Sequence, residues 1–174
     1  MVSQTERRGV NPLASEREIL EAYLDSHRDT LEWKCAGLTD DQLKQRAAEP
    51  SQLTLLGLLR HMAEVEYYWF ESVLLGSDNN IGVFGSEDDP DGDFTDLNSH
   101  DPAFVLNRWR QACEASRRHT AEIDDLAQVA AKPRFWDGEE VTLGYILTHM
   151  LEEYARHNGH ADLLRERIDG QTGV

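Results

Sequence analysis

Residues 142–170 read TLGYILTHMLEEYARHNGHADLLRERIDG. Leu143, Ile146, Leu147, Met150 and Tyr154 recur at spacings of three and four, the period of a helix that buries one stripe. Thr142 is placed to cap its start and Gly170 to stop it, and the apolar pattern continues through Leu151, Leu163 and Leu164. A long amphipathic helix of this kind needs partners of similar length, and the rest of the chain supplies them.

Ser15 followed by Glu18 is a capping box, and Ile19, Leu20, Tyr23, Leu24, His27 and Leu31 mark an apolar face running to Cys35 and ending at Gly37. A second capping box, Thr39 with Gln42, predicts a short connecting helix to about Ala47. From Thr54 to Leu75 the helical period returns in Leu55, Leu58, Leu59, Met62, Val65, Trp69 and Val73, with a stop at Gly76. Asp101 before Pro102 is an N-cap with proline at the first helical position; that helix should reach about Asp124 and bury Val105, Leu106, Trp109, Cys113 and Ile123. Four long helices with one apolar stripe each, and little strand signal, predict an all-α four-helix bundle in a single domain spanning 1–174. Residues 1–12 read as a loose polar arm. Residues 77–100 read as a long acidic loop between helices two and three, which leaves the order of the helix connections open.

A chain of 174 residues can bury enough surface to fold without a disulfide or a structural metal. With 33 Asp and Glu against 17 Lys and Arg, its formal charge of −16 argues against nucleic acid and against anionic membrane surfaces as partners. Cys35 and Cys113 are the two cysteines and form no CxxC pair, which excludes a disulfide framework and a zinc ribbon. The start MVSQTERRGVNP has no apolar run for a secretion signal, so the cytoplasm is the expected location.

Three of the seven histidines fall in THMLEEYARHNGHAD. At roughly 100° per residue, setting His149 at 0° puts His160 near ~20°, Glu153 near ~40° and His157 near ~80°, while the apolar stripe covers about 60° to 160°. Glu153 thus sits at the stripe's margin and His157 inside it. Four residues apart on one face, they can offer an oxygen and a nitrogen to one ion. His61 lies at the edge of the stripe on the second long helix, one turn from Leu58 and Val65, and is the natural third ligand. Hydrogen-bonded core histidines would produce the same spacing, so the residues alone leave both readings open.

The segments TLLGLLRHMAEVEYYWF (54–70) and HMLEEYARHNGHADLLRERIDG (149–170), together with WKCAGLTDDQL (33–43), resemble the DinB-like superfamily, in particular its branch of mycothiol-dependent transferases and isomerases. The resemblance covers most of the chain outside the 77–100 loop. It implies a four-helix bundle holding a divalent metal, zinc or nickel, through His61, Glu153 and His157. Many relatives have a second histidine at the position of Glu153; the carboxylate is similar to the mycothiol-dependent maleylpyruvate isomerase type, and it lowers the net charge of the site.

His160 and His149 are candidates for orienting a ligand or a bound water. Glu66 falls at an apolar angle and is expected to pair with a buried arginine such as Arg156 or Arg165. Cys35 and Cys113 read as small core residues, and the acidic block SEDDPDGDFTD lacks the spacing of a calcium loop and reads as solvated. The function implied is a metal-dependent enzyme that uses a low-molecular-weight thiol, by resemblance mycothiol, in S-transfer onto an electrophile or in isomerisation. The alternatives are a metal-dependent hydrolase and a non-catalytic metal- or small-molecule-binding stress protein. A homodimer is compatible with this sequence and is not required by it. Arg outnumbers Lys 14 to 3, which fits a GC-rich genome.

Overall fold

The computed structural model describes residues 7–77, 84, 85, 89 and 92–173. Its elements are α1 (Glu16–Cys35), α2 (Asp40–Leu43), α3 (Leu55–Tyr67) continued by a π-helical segment (Tyr68–Val73), α4 (Gly92–Thr95), α5 (Pro102–Ala121) and α6 (Leu143–Asp169). Both capping boxes form, at Ser15 with Glu18 and at Thr39 with Gln42. Asp101 caps α5, and Gly170 ends α6 in the left-handed conformation that glycine adopts without strain. The four long helices make an all-α bundle, and the one extended pairing among the described residues is an isolated bridge between Val129 and Thr142.

Cross-helix contacts fix the direction of each helix. His27 meets Asn158, Lys34 meets Asp162, and Arg165 donates to the carbonyl of Ala36, so positions on α1 and α6 advance together and the two run parallel. Between α3 and α6 the order reverses, from His61 beside His157 through Glu66 with Tyr154 to Trp69 beside His149, so these are antiparallel. Glu66 with Ser116 and Glu71 with His119 make α3 and α5 parallel. The order is therefore up, down, down, up. Two parallel neighbours in sequence require a connection that returns along the bundle, which is why the segment between α3 and α5 is long.

Two local differences from the sequence reading follow from competing interactions. The second long helix is not α-helical to its end: Leu74 N–H donates to Trp69 O, five residues back, at 3.0 Å, and Trp69, Phe70 and Val73 are buried along this wider turn. On α1, Tyr23 is half exposed instead of lying on the core face, because the positions between Leu24 and Leu31 bury Arg28 and Asp29. Within the polar stretch expected as an arm, Arg8 binds Asp29 through Nε at 2.9 Å and Asp25 through a terminal nitrogen at 2.5 Å; residues 1–6 lie outside the described residues.

Glu66 is wholly buried at the bundle centre, and its partner is neither Arg156 nor Arg165. Arg28 of α1 meets both carboxylate oxygens, and Ser116 of α5 and Tyr154 of α6 donate to them at 2.6 and 2.7 Å. Trp109 donates in turn to the Tyr154 hydroxyl at 3.0 Å. Arg156 instead pairs with Glu152 at the surface, and Arg165 binds the Lys34 and Ala36 carbonyls and Asp169. The angle of Glu66 identified a buried acid correctly; the partner came from another helix, where linear spacing carries no information.

Candidate metal centre

Where α3 packs on α6, His61, Glu153 and His157 each present one ligand-type atom, and the three atoms lie within 4.8 Å of one another. Two ligands on a tetrahedral ion with bonds near 2 Å sit about 3.3 Å apart. His157 Nε2 and Glu153 Oε2 are 3.4 Å apart, so α6 alone already holds that spacing. The His61 ring packs edge-on to the His157 ring with centroids 4.7 Å apart, which brings α3's nitrogen to the same point. The donor set is two imidazoles and a carboxylate. It suits zinc or nickel, and it falls short of a full tetrahedron, leaving a position for water or substrate.

The surrounding groups orient these three. His61 Nδ1 is 2.8 Å from Asp93 Oδ2, and since a carboxylate only accepts, Nδ1 is the donor in this contact. His157 Nδ1 is 3.4 Å from His160 Nδ1. Burial, then the nearby His157 and Arg156, lower the His160 pKa. His149 Nε2 stands 3.4 Å from the other Glu153 oxygen, and bonds from His149 and His157 hold the Glu153 carboxyl well below the usual carboxylate range. His149 also packs on the Trp69 and Tyr145 rings, centroids 4.6 and 6.0 Å away, and Trp136 closes on Trp69 at 5.7 Å. One side of the centre is thus an aromatic wall.

All five histidine and glutamate positions singled out in the sequence therefore gather at one place. Asp93 does not belong to that set. It lies in the acidic block read as solvated, yet it is buried in α4, a single turn that packs on α3. Helical periodicity cannot register a four-residue turn; the phenylalanines at 84 and 94 on either side were the one cue that the loop folds back. Two clefts open elsewhere, of about 130 Å³ between α3 and α5 and about 390 Å³ beside Cys35, Leu43 and Leu106. His61, Glu153 and His157 line neither, and neither cleft gathers a set of metal-ligand atoms, so size alone does not mark the site here.

Both cysteines are buried away from this centre. Burial pushes the Cys35 thiol up to about 12, and burial together with the Glu66 charge raises Cys113 as well. No helix among the described residues is long and apolar enough to cross a membrane.

Two histidines and a glutamate converging from facing helices place the chain among the helical bundles that carry an inward-facing polar centre. Within that class the assignment is specific: the family model for mycothiol-S-transferase matches residues 19–170, and the chain belongs to that family. No curated protein and no solved structure matches it.

Proposed function

We propose that this protein is a divalent-metal-dependent transferase that moves a low-molecular-weight thiol, mycothiol, onto an electrophilic carbon. The observation that carries the reading is the meeting of His61, Glu153 and His157 within 4.8 Å in a chain of the mycothiol-S-transferase family. A divalent ion there would favour the thiolate of a coordinated thiol at neutral pH, as metals do for ligands they bind. The sulfur then forms a bond to the electrophile's carbon, the leaving group departs with its electron pair, and the thiol proton passes to solvent.

The protein's part is positional and electrostatic. His61 and His157 would supply ring nitrogens and Glu153 one negative charge, so an ion held here would keep less net charge than among three histidines. His149 packs against Trp69 and Tyr145 to give the centre an aromatic flank. The nucleophile has to come from outside, because both cysteines are buried with raised pKa values.

Metal analysis of the purified protein, followed by thiol consumption with mycothiol and glutathione in parallel against an alkylating electrophile, tests this. The expected result is stoichiometric zinc or nickel and consumption that needs mycothiol. Metal content without thiol consumption favours a binding protein, and turnover of a hydrolysable substrate without any thiol favours a hydrolase.

A further inference from the structure

The connection between α3 and α5 does more than return the chain along the bundle. Arg60, the residue before His61, is almost fully buried and donates to the Gly92 carbonyl at 2.8 Å and the Asp96 carbonyl at 2.6 Å, one at each side of Asp93. Its guanidinium also lies over the Phe84 ring, 4.6 Å from the centroid. Two glycines allow the close fit. A Cβ on Gly57, one turn before His61, would stand 2.8 Å from the Phe94 side chain, and a Cβ on Gly92 would stand 2.2 Å from the Phe84 carbonyl oxygen. The α4 turn is thus seated against α3, and the side chain it delivers is the carboxylate 2.8 Å from His61 Nδ1.

We infer that Asp93 is the positioning residue of the metal centre, fixing His61 in the Nδ1–H form and in a ring orientation that presents Nε2, so that the α4 turn is an integral part of the site. The inference rests on the metal reading of His61, Glu153 and His157. A carboxylate behind a ligating imidazole fixes its tautomer and raises its basicity, and removal of such a partner typically lowers metal affinity 10- to 100-fold. Among the described residues His157 Nδ1 has an imidazole, His160, behind it where His61 has a carboxylate, so the two rings are supported unequally. The stronger outer partner belongs to the histidine that comes from the other helix, where no i, i+4 spacing fixes its position.

The test compares wild type, Asp93→Asn, Asp93→Ala and His61→Ala. Zinc affinity is measured by competition with a chromophoric chelator, and the His61 tautomer of the zinc-free protein by nitrogen-15 NMR; a loss of helix by circular dichroism identifies a variant that fails to fold. In wild type His61 should carry hydrogen on Nδ1. Asp93→Ala should shift it toward the Nε2–H form of free histidine and weaken zinc binding by about 10- to 100-fold, while Asp93→Asn, whose carbonyl still accepts from Nδ1, should keep the tautomer and lose less affinity. If Asp93→Ala does not fold, the Asn variant decides by a severalfold loss. Zinc affinity within twofold of wild type in every folded Asp93 variant overturns the inference while leaving the metal centre standing, provided that His61→Ala still loses zinc. Wild type that takes up no zinc, or His61→Ala that binds it undiminished, removes the metal centre and the inference with it.

Discussion

Arg28 and Glu66 face each other across the bundle with Nε and a terminal nitrogen each 2.7 Å from one carboxylate oxygen, both side chains buried. A bidentate pair this deep contributes less net stability than its geometry suggests, because both charges have lost their water. Breaking it is a different matter. Glu66→Ala leaves the buried Arg28 guanidinium with Asp25 as its remaining carboxylate partner and takes the acceptor from the Tyr154 hydroxyl, so it should destabilise by up to about 3–5 kcal/mol and lower Tm by on the order of 10 °C. Replacing both partners with apolar residues, as in Arg28→Met with Glu66→Leu, should cost less than either single change. Thermal unfolding of the four proteins checks the order; a double variant weaker than both singles would mean that the charges themselves stabilise the bundle.

The same pair sets an acid limit. Burial alone would raise the Glu66 carboxyl, but the Arg28 charge and the bonds from Arg28, Ser116 and Tyr154 outweigh it and leave the pKa below the ordinary value. The folded state therefore binds this proton less readily than the unfolded chain. The stability it contributes is present above the unfolded pKa of about 4.3 and is lost as pH falls through the folded value. Urea unfolding between pH 7 and pH 3 should show a falling stability in wild type and a shallower fall in Glu66→Gln. Equal slopes in the two proteins would assign the acid sensitivity to other carboxylates.

Neither thiol should react in the native protein. With Cys35 raised to about 12, only on the order of one molecule in a hundred thousand carries its thiolate at neutral pH. A thiol-specific chromogenic disulfide should find no reactive cysteine until denaturant is added, and then two. Cys35→Ala should keep thiol transfer within about twofold of wild type, at a stability cost of roughly 1 kcal/mol for the lost buried contact. Loss of transfer in this variant while the fold persists would place a protein thiol in the reaction.

How much of this could be read from the chain depends on the range of each interaction. Capping boxes at Ser15 and Thr39 and the Asp101–Pro102 start are local, and they form as the sequence predicts. The Glu153 and His157 spacing is a property of one helix, so its geometry was legible too. Glu66 was recognisable as an inward acid, whereas Arg28 lies 38 positions away and reaches it only after α1 and α3 pack. Asp93 was hidden for a related reason: its role depends on Arg60, Gly57 and Phe94 seating a turn too short to have a period. The crossover direction followed from contacts alone, since loop length permits it without requiring it.

His157→Ala should abolish stoichiometric metal binding and leave a folded protein. The side chain belongs to the polar centre, and the core around Leu55, Met62, Ile146 and Met150 is buried without it. Unfolding under a strong chelator in wild type would show instead that the centre is structural.

Glu153→Gln separates charge from shape at the centre. Glu153 is held ionised by His149 and His157, one imidazole near each oxygen, and the glutamine is nearly isosteric, so the helix and the aromatic wall should persist. What disappears is the one negative charge among the proposed ligands. Since losing even an outer partner of a ligand typically costs 10- to 100-fold in affinity, replacing this ligand should weaken zinc or nickel binding by at least about 100-fold. At metal concentrations that restore loading, thiol consumption should remain below wild type if the carboxylate also tunes the charge felt by the thiol, and should recover fully if its role is retention alone. The pH profile adds an independent check. Wild type should keep a high rate well below the ~8.5 of a free cysteine-like thiol, because the centre and not the solvent pH then decides ionisation. A wild-type rate that rises with the free thiol's own titration, unchanged by metal removal or by Glu153→Gln, would leave the three residues without a part in the transfer.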